Sequence, residues 1–152
     1  CAQADWLSAS RLPWPLGLMN KVLAHTIAEL EGGAFKGEVL AVESRLGALR
    51  IEIGELGGTR RLEVFFAQAE AFRVMDERDL GEYWPECSTP NGWLFEVTDG
   101  GWLKQELERP GSLVARIHKE LREFLIAGED DCVSVLSLSM PEIRALAQAN
   151  EA

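Results

Sequence analysis

Asp76, Glu77, Asp79, Glu82 and Glu86 place five carboxylates within eleven residues, and Tyr83 and Trp84 lie among them. So dense a set of acids has the chemistry to coordinate Ca²⁺, to share a proton as an acid–base pair, or to attract a basic partner. The Ca²⁺ reading fails on spacing. A loop of the EF type needs oxygen ligands at alternating positions, a central glycine and a bidentate glutamate at position twelve. Counting from Asp76, Gly81 stands at the sixth position, but Arg78 replaces a ligand and Cys87 occupies the twelfth. The plainest role for these acids is to sit near a helix N-terminus and keep a loop solvated.

Other chemistry is thinly supplied. His25 and His118 are the whole imidazole complement, and neither has the CxxC or HxxxH context that anchors zinc. His25 precedes Glu29 by four residues, the spacing of an ordinary helical pair. Cys87 is the better placed of the cysteines for a Cys–His nucleophile, but adjacent Glu86 opposes the thiolate. Cys132, in Cys-Val-Ser-Val135, reads as a buried free thiol. No GxSxG elbow, GxGxxG loop or GxxxxGK[ST] loop occurs; Gly54, Gly57 and Gly58 read as turn glycines. No catalytic residue, metal site or cofactor is therefore expected.

The whole-chain balance narrows the partners. Of 152 residues, 47% are hydrophobic and 26% charged, and 25 acids against 15 Lys and Arg give a net charge of −10. That composition suits one folded domain spanning residues 1–152, with the first twelve irregular. It disfavours nucleic acid as a partner, because phosphate contacts need clustered cations and Arg60-Arg61 is the nearest approach. No run is long enough to span a bilayer. Three widely spaced cysteines favour a reducing, cytoplasmic setting over a disulfide scaffold; a lipid anchor through Cys1 is the alternative.

The elements that must position these residues follow from periodicity. Leu16, Met19, Leu23, Ile27 and Leu30 recur at three and four, predicting an N-terminal helix stopped by Gly32-Gly33. Then the period drops to two. Val39–Val42, Leu49/Ile51/Ile53 and Leu62/Val64/Phe66 read as strands with turns at Gly47 and Gly57-Gly58, and Phe72–Met75 as a fourth. A short helical turn is expected within 76–86. Pro90-Asn-Gly92 is a turn before a strand at Trp93, Phe95 and Val97, and Asp99 would cap a helix through Leu107. Helix or coil to about Arg122 precedes a hairpin, Phe124–Ile126 with Val133–Leu138. Pro141 opens a C-terminal helix through Leu146.

The expected fold is α+β: a curled antiparallel sheet or partial barrel of about six to seven strands, with the N-terminal helix packed on it and short additional helices. The leading functional expectation is a non-enzymatic protein-binding or inhibitor-like module whose surface Asp76, Glu77, Asp79, Glu82, Tyr83, Trp84 and Glu86 meets a basic or amphipathic partner. The alternative is a small-molecule-binding barrel, possibly enzymatic in kind, with a pocket lined by Trp93, Phe95, Phe66 and Met19.

Overall fold

The computed structural model describes residues 21–28 and 36–148. Nine strands form two sheets: β1 (Leu23–Ala28), β2 (Gly37–Arg45), β3 (Ala48–Glu55), β4 (Arg61–Phe66), β5 (Ala69–Asp76), β6 (Leu94–Asp99), β7 (Arg122–Ile126), β8 (Asp131–Ser137) and β9 (Glu142–Leu146). The first sheet runs β1-β6-β7-β8-β5, the second β2-β3-β4-β9, and every pairing among the described strands is antiparallel. Among the described residues there are also three short helices, α1 (Trp84–Cys87), α2 (Trp102–Glu108) and α3 (Val114–Ile117), and 3-10 turns at Glu77–Asp79 and Thr89–Asn91. The α+β character holds, but as two stacked sheets rather than a barrel.

The first sheet is the middle layer. Leu94, Phe124, Ile126, Val133 and Val135 point from it towards Leu49, Ile51, Ile53, Val64 and Phe66 of the second sheet, with Trp93 closing the layer. Its other face carries Phe95, Val97, Leu125 and Cys132, covered by Leu80, Tyr83 and Cys87 from the chain that leaves β5. Further along that face, Leu136 and Ala71 receive Ala115 and Trp102 from the helices. Since both faces are covered, β6 is buried on both sides from Leu94 to Val97, where simple alternation predicts one wet face.

Three expectations need correction. Leu23–Ala28 of the predicted N-terminal helix is strand β1, paired with β6; Met19 and the rest of that run lie outside the described residues. Bulges between Leu23 and Ala24 and between Thr26 and Ala28 shift its register. Leu23 and Ile27, four apart, are as compatible with the period of two as with a helix, so their spacing alone does not choose between the two. Residues 142–146 are likewise strand β9 instead of a C-terminal helix. Ile143 lies opposite Val64 on β4, and Arg144 reaches Glu63 at 3.3 Å. Cross-strand pairing of this kind outweighs weak local helix preference. Finally, the described residues hold nine strands, and β4 and β5, joined by Ala67-Gln68 alone, lie in different sheets.

The helix cap also differs. Gly101 is the N-cap of α2, and Asp99 accepts a hydrogen bond from the Gly100 N–H at 2.8 Å. The donors of the α2 first turn are satisfied from distant parts of the chain, as described next.

Candidate functional site

The register of β5 with β8 sets Asp76 opposite Asp131, and the Glu77 N–H donates to the Asp130 carbonyl at 2.9 Å. The acidic stretch 76–86 is thereby joined to a second one, Glu129-Asp-Asp131, at the same end of the first sheet. Arg78 is the sole cation in these two segments, and it is spent locally: its guanidinium donates to both Asp76 oxygens at 2.9 and 2.7 Å. Asp76 also accepts from the Arg78 N–H, capping the 3-10 turn. These bonds hold the Asp76 carboxyl well below its ordinary range. Glu77 and Asp79 are exposed, and Glu82 and Glu86 half-buried. No group of three or more metal-ligating side chains forms among the described residues.

The two aromatic residues of this stretch part company. Trp84 remains half-buried at the surface, its indole N–H donating to the Glu77 carbonyl at 3.1 Å. Tyr83 is fully buried, so it cannot be the surface anchor expected from its acidic neighbours. Its ring packs with Leu80, Phe95 and Leu125, because the short turns after β5 fold this segment back over the sheet.

The Tyr83 hydroxyl sits in a buried network that sequence reading missed. It donates to Glu123 Oε1 at 2.8 Å and accepts from the Trp102 N–H at 2.9 Å, with Arg73 Nη2 at 3.5 Å. Glu123 Oε2 accepts the Leu103 N–H at 2.9 Å. Two side chains thus satisfy the first N–H groups of α2, a helix whose own N-cap is a glycine without a side chain. The Arg73 guanidinium lies 4.7 Å from the Trp102 ring centre, joining that ring to the same network. Glu123 is 1% exposed, and burial drives its carboxyl above the ordinary range while the Leu103 N–H and Tyr83 hydroxyl oppose that shift. The available signal was its register: Glu123 alternates with Leu125 on an inward face, where a carboxylate needs partners. Gly101 fits tightly beside it, since a Cβ there would stand 2.6 Å from Glu123 Oε2. A cleft of about 380 Å³ opens next to these groups, bordered by Val97, Gly101, Leu103, Lys104, Leu107 and Glu123.

A second buried carboxylate, Glu96, binds Arg122 through both oxygens at 2.6 and 3.0 Å, with His25 Nε2 at 3.2 Å. His25 therefore pairs across strands with Glu96; Glu29, its expected helical partner, lies outside the described residues. His118 approaches Glu70 at 4.0 Å. Cys87 and Cys132 are free and buried. Burial, reinforced by Glu123 and Glu86, pushes the Cys87 thiol up to about 12, and burial pushes Cys132 up to about 11. Neither has the exposed, cation-flanked setting of a nucleophilic thiolate.

Of the four residues expected to line a pocket, Trp93, Phe95, Phe66 and Met19, the last lies outside the described residues and the other three do not share one face. Trp93 and Phe66 are packed between the sheets, while Phe95 points from the opposite face of the first sheet. Among the described residues, no helix is long and apolar enough to cross a membrane. No protein-family model, curated protein or solved structure matches the chain.

Proposed function

We propose that the protein is a non-enzymatic binding module that holds a basic or amphipathic partner at the acidic end of its first sheet. The observation that carries this reading is the convergence of residues 76–86 with 129–131 through the Asp76–Asp131 register and the Glu77–Asp130 hydrogen bond. Two modest acid runs become one surface, and Arg78, the sole cation within those two runs, is already bonded to Asp76. A field of one sign on a rigid sheet end speeds encounter with a cation-rich partner and disfavours anionic ones. Trp84 supplies an aromatic edge beside the acids, and Tyr83 acts from beneath by holding the segment against the sheet.

The test is titration with a synthetic amphipathic Lys/Leu peptide, followed by calorimetry at increasing salt. Binding should weaken with ionic strength and fall about tenfold or more when Glu77, Asp79 and Asp130 are replaced by lysine. Equal affinity for wild type and triple variant would defeat the reading.

A further inference from the structure

The cleft beside Glu123 lies at the end of the first sheet away from Asp76 and Asp131, where Val97 of β6 pairs with Glu123 of β7. Its volume of about 380 Å³ falls within the roughly 300–1,000 Å³ of small-molecule sites. One wall is apolar, made by Val97, Leu103 and the exposed Leu107. Leu103 and Leu107 stand four residues apart on α2 and so share a helix face. The other wall is glycine. Gly100 has a φ of 77°, and a Cβ there would strike the Lys21 carbonyl. A Cβ on Gly101 would stand 2.6 Å from Glu123 Oε2 and 2.8 Å from Val97. Two successive positions without side chains therefore leave the Glu123 carboxylate as the floor of the cleft.

The charges around this space are unequal. Asp99, Lys104, Glu108 and Glu123 line it, three carboxylates against one ammonium. Lys104 Nζ stands 3.5 Å from Asp99 Oδ1, which balances that pair. Glu108 is exposed at the mouth and Glu123 buried at the floor, and neither forms an ion pair among the described residues. The hydrogen bonds at Glu123 come from neutral donors, the Tyr83 hydroxyl and the Leu103 N–H. Arg73 reaches the Tyr83 hydroxyl at 3.5 Å instead of the carboxylate. A carboxylate has about four lone-pair directions, so these two donors leave acceptor capacity at the floor. A buried carboxylate without a bonded cation is costly, and an entering ammonium supplies charge and N–H donors together.

We infer that this cleft binds a small primary aliphatic amine, its ammonium on Glu123 and its hydrocarbon chain along Val97, Leu103 and Leu107. A metal ion is a poor occupant, because no group of three or more ligating side chains gathers among the described residues. An anion is disfavoured by the surplus of carboxylates, since Lys104 is engaged by Asp99. A quaternary ammonium has no N–H to give the Glu123 oxygens, whereas a primary one has three. The assignment stands apart from the acidic-end proposal, whose carboxylates at 76–86 and 129–131 it does not use.

The experiment titrates the whole protein with hexan-1-amine, hexan-1-ol and hexanoate at constant ionic strength. Calorimetry gives affinity, and amide chemical shifts give the footprint. The amine should bind about tenfold or more tightly than either control and shift residues 97–108 and Glu123. Leu107→Ser with Glu108→Lys should weaken it about tenfold or more. Both positions are exposed, so this variant should keep the wild-type melting temperature, which is measured alongside. Lys104→Met should tighten binding about two- to threefold by removing a competing cation. Affinity should rise from about pH 5 to about pH 8 as Glu123 loses its proton, while the amine stays charged throughout. Burial holds the Tyr83 hydroxyl and Cys87 thiol too high to titrate in that range. In Glu123→Gln the rise should vanish; should that variant not fold, the double variant alone decides. Equal affinity for hexan-1-ol, or amine binding that no variant changes, overturns the assignment. So does tighter hexanoate binding that Lys104→Met abolishes, or a footprint confined to residues 76–86 and 129–131.

Discussion

Tyr83 and Glu123, forty residues apart in sequence, share a buried 2.8 Å hydrogen bond and between them satisfy the first two N–H groups of α2. A segment that crosses the sheet, a strand within it and a helix above it therefore meet at one oxygen pair. Removing either partner leaves buried donors without acceptors. Tyr83→Phe is expected to cost about 1–3 kcal/mol, for the Trp102 N–H and one lone pair of Glu123. Glu123→Ala is expected to cost more, about 3–5 kcal/mol, since it strands the Tyr83 hydroxyl and Leu103 N–H and opens a void. Urea unfolding of both single variants and the double variant checks this. Strictly additive losses would mean that the two groups do not act together.

The same carboxyl makes stability depend on pH. Its folded value is raised because burial penalises the charged form, so the protonated acid suits the folded protein best. That contribution is whole below the ordinary carboxyl value of 4.5 and fades as pH rises through the raised folded value. Glu123→Gln cannot titrate. Its melting temperature should fall furthest below wild type near about pH 4, and the gap should narrow as pH rises. A gap that widens with rising pH contradicts the assignment.

Cys87 and Cys132 are both fully buried, with thiols pushed up to about 12 and about 11. Alkylation needs the exposed thiolate, so iodoacetamide at neutral pH should leave both intact in the folded protein and modify both in denaturant. Mass spectrometry of the peptides that carry them reads this directly. Rapid labelling of Cys87 in native buffer would show that α1 opens readily.

The β2–β3 hairpin turns through Leu46 and Gly47, which have φ of 49° and 85°. Glycine adopts that region without cost, whereas leucine is strained there by roughly 1–2 kcal/mol. The Leu46 side chain is fully exposed and contributes no packing to offset the strain. Leu46→Asn should therefore stabilise the fold by about 1 kcal/mol, visible as a higher denaturant midpoint with an unchanged slope.

How much of this was legible in the sequence depended on the distance over which the deciding contact acts. The β2–β3 and β7–β8 hairpins could be read because their partners are neighbours in sequence and a turn separates them. β1 and β9 could not. Thr98 reaches back to Leu23 across 75 residues, and Arg144 reaches Glu63 across 81. Spacings such as Leu23 to Ile27 fit a helix equally well, and the open edges of β6 and β4 decided the matter. The site divides in the same way. The acids of 76–86 are visible in any reading, but their union with Glu129-Asp-Asp131 depends on the β5–β8 register. Tyr83 was misplaced because its acidic neighbours in sequence are not its neighbours in space. Glu123 was overlooked because a lone glutamate in Arg122-Glu-Phe-Leu-Ile126 looks like half of a surface charge pair. Its inward direction follows only once Leu125 is known to face Tyr83 and not the second sheet.

Pairing β4 with β9 carries a cost during translation. At roughly 5–20 residues per second, the ribosome delivers Arg144 about 4–16 s after Glu63. Throughout that interval the newly made β3–β4 ribbon offers a bare strand edge to any other nascent chain or chaperone nearby. The protein's yield in a cell should therefore be governed by how well that waiting edge is guarded as well as by the stability of the finished fold.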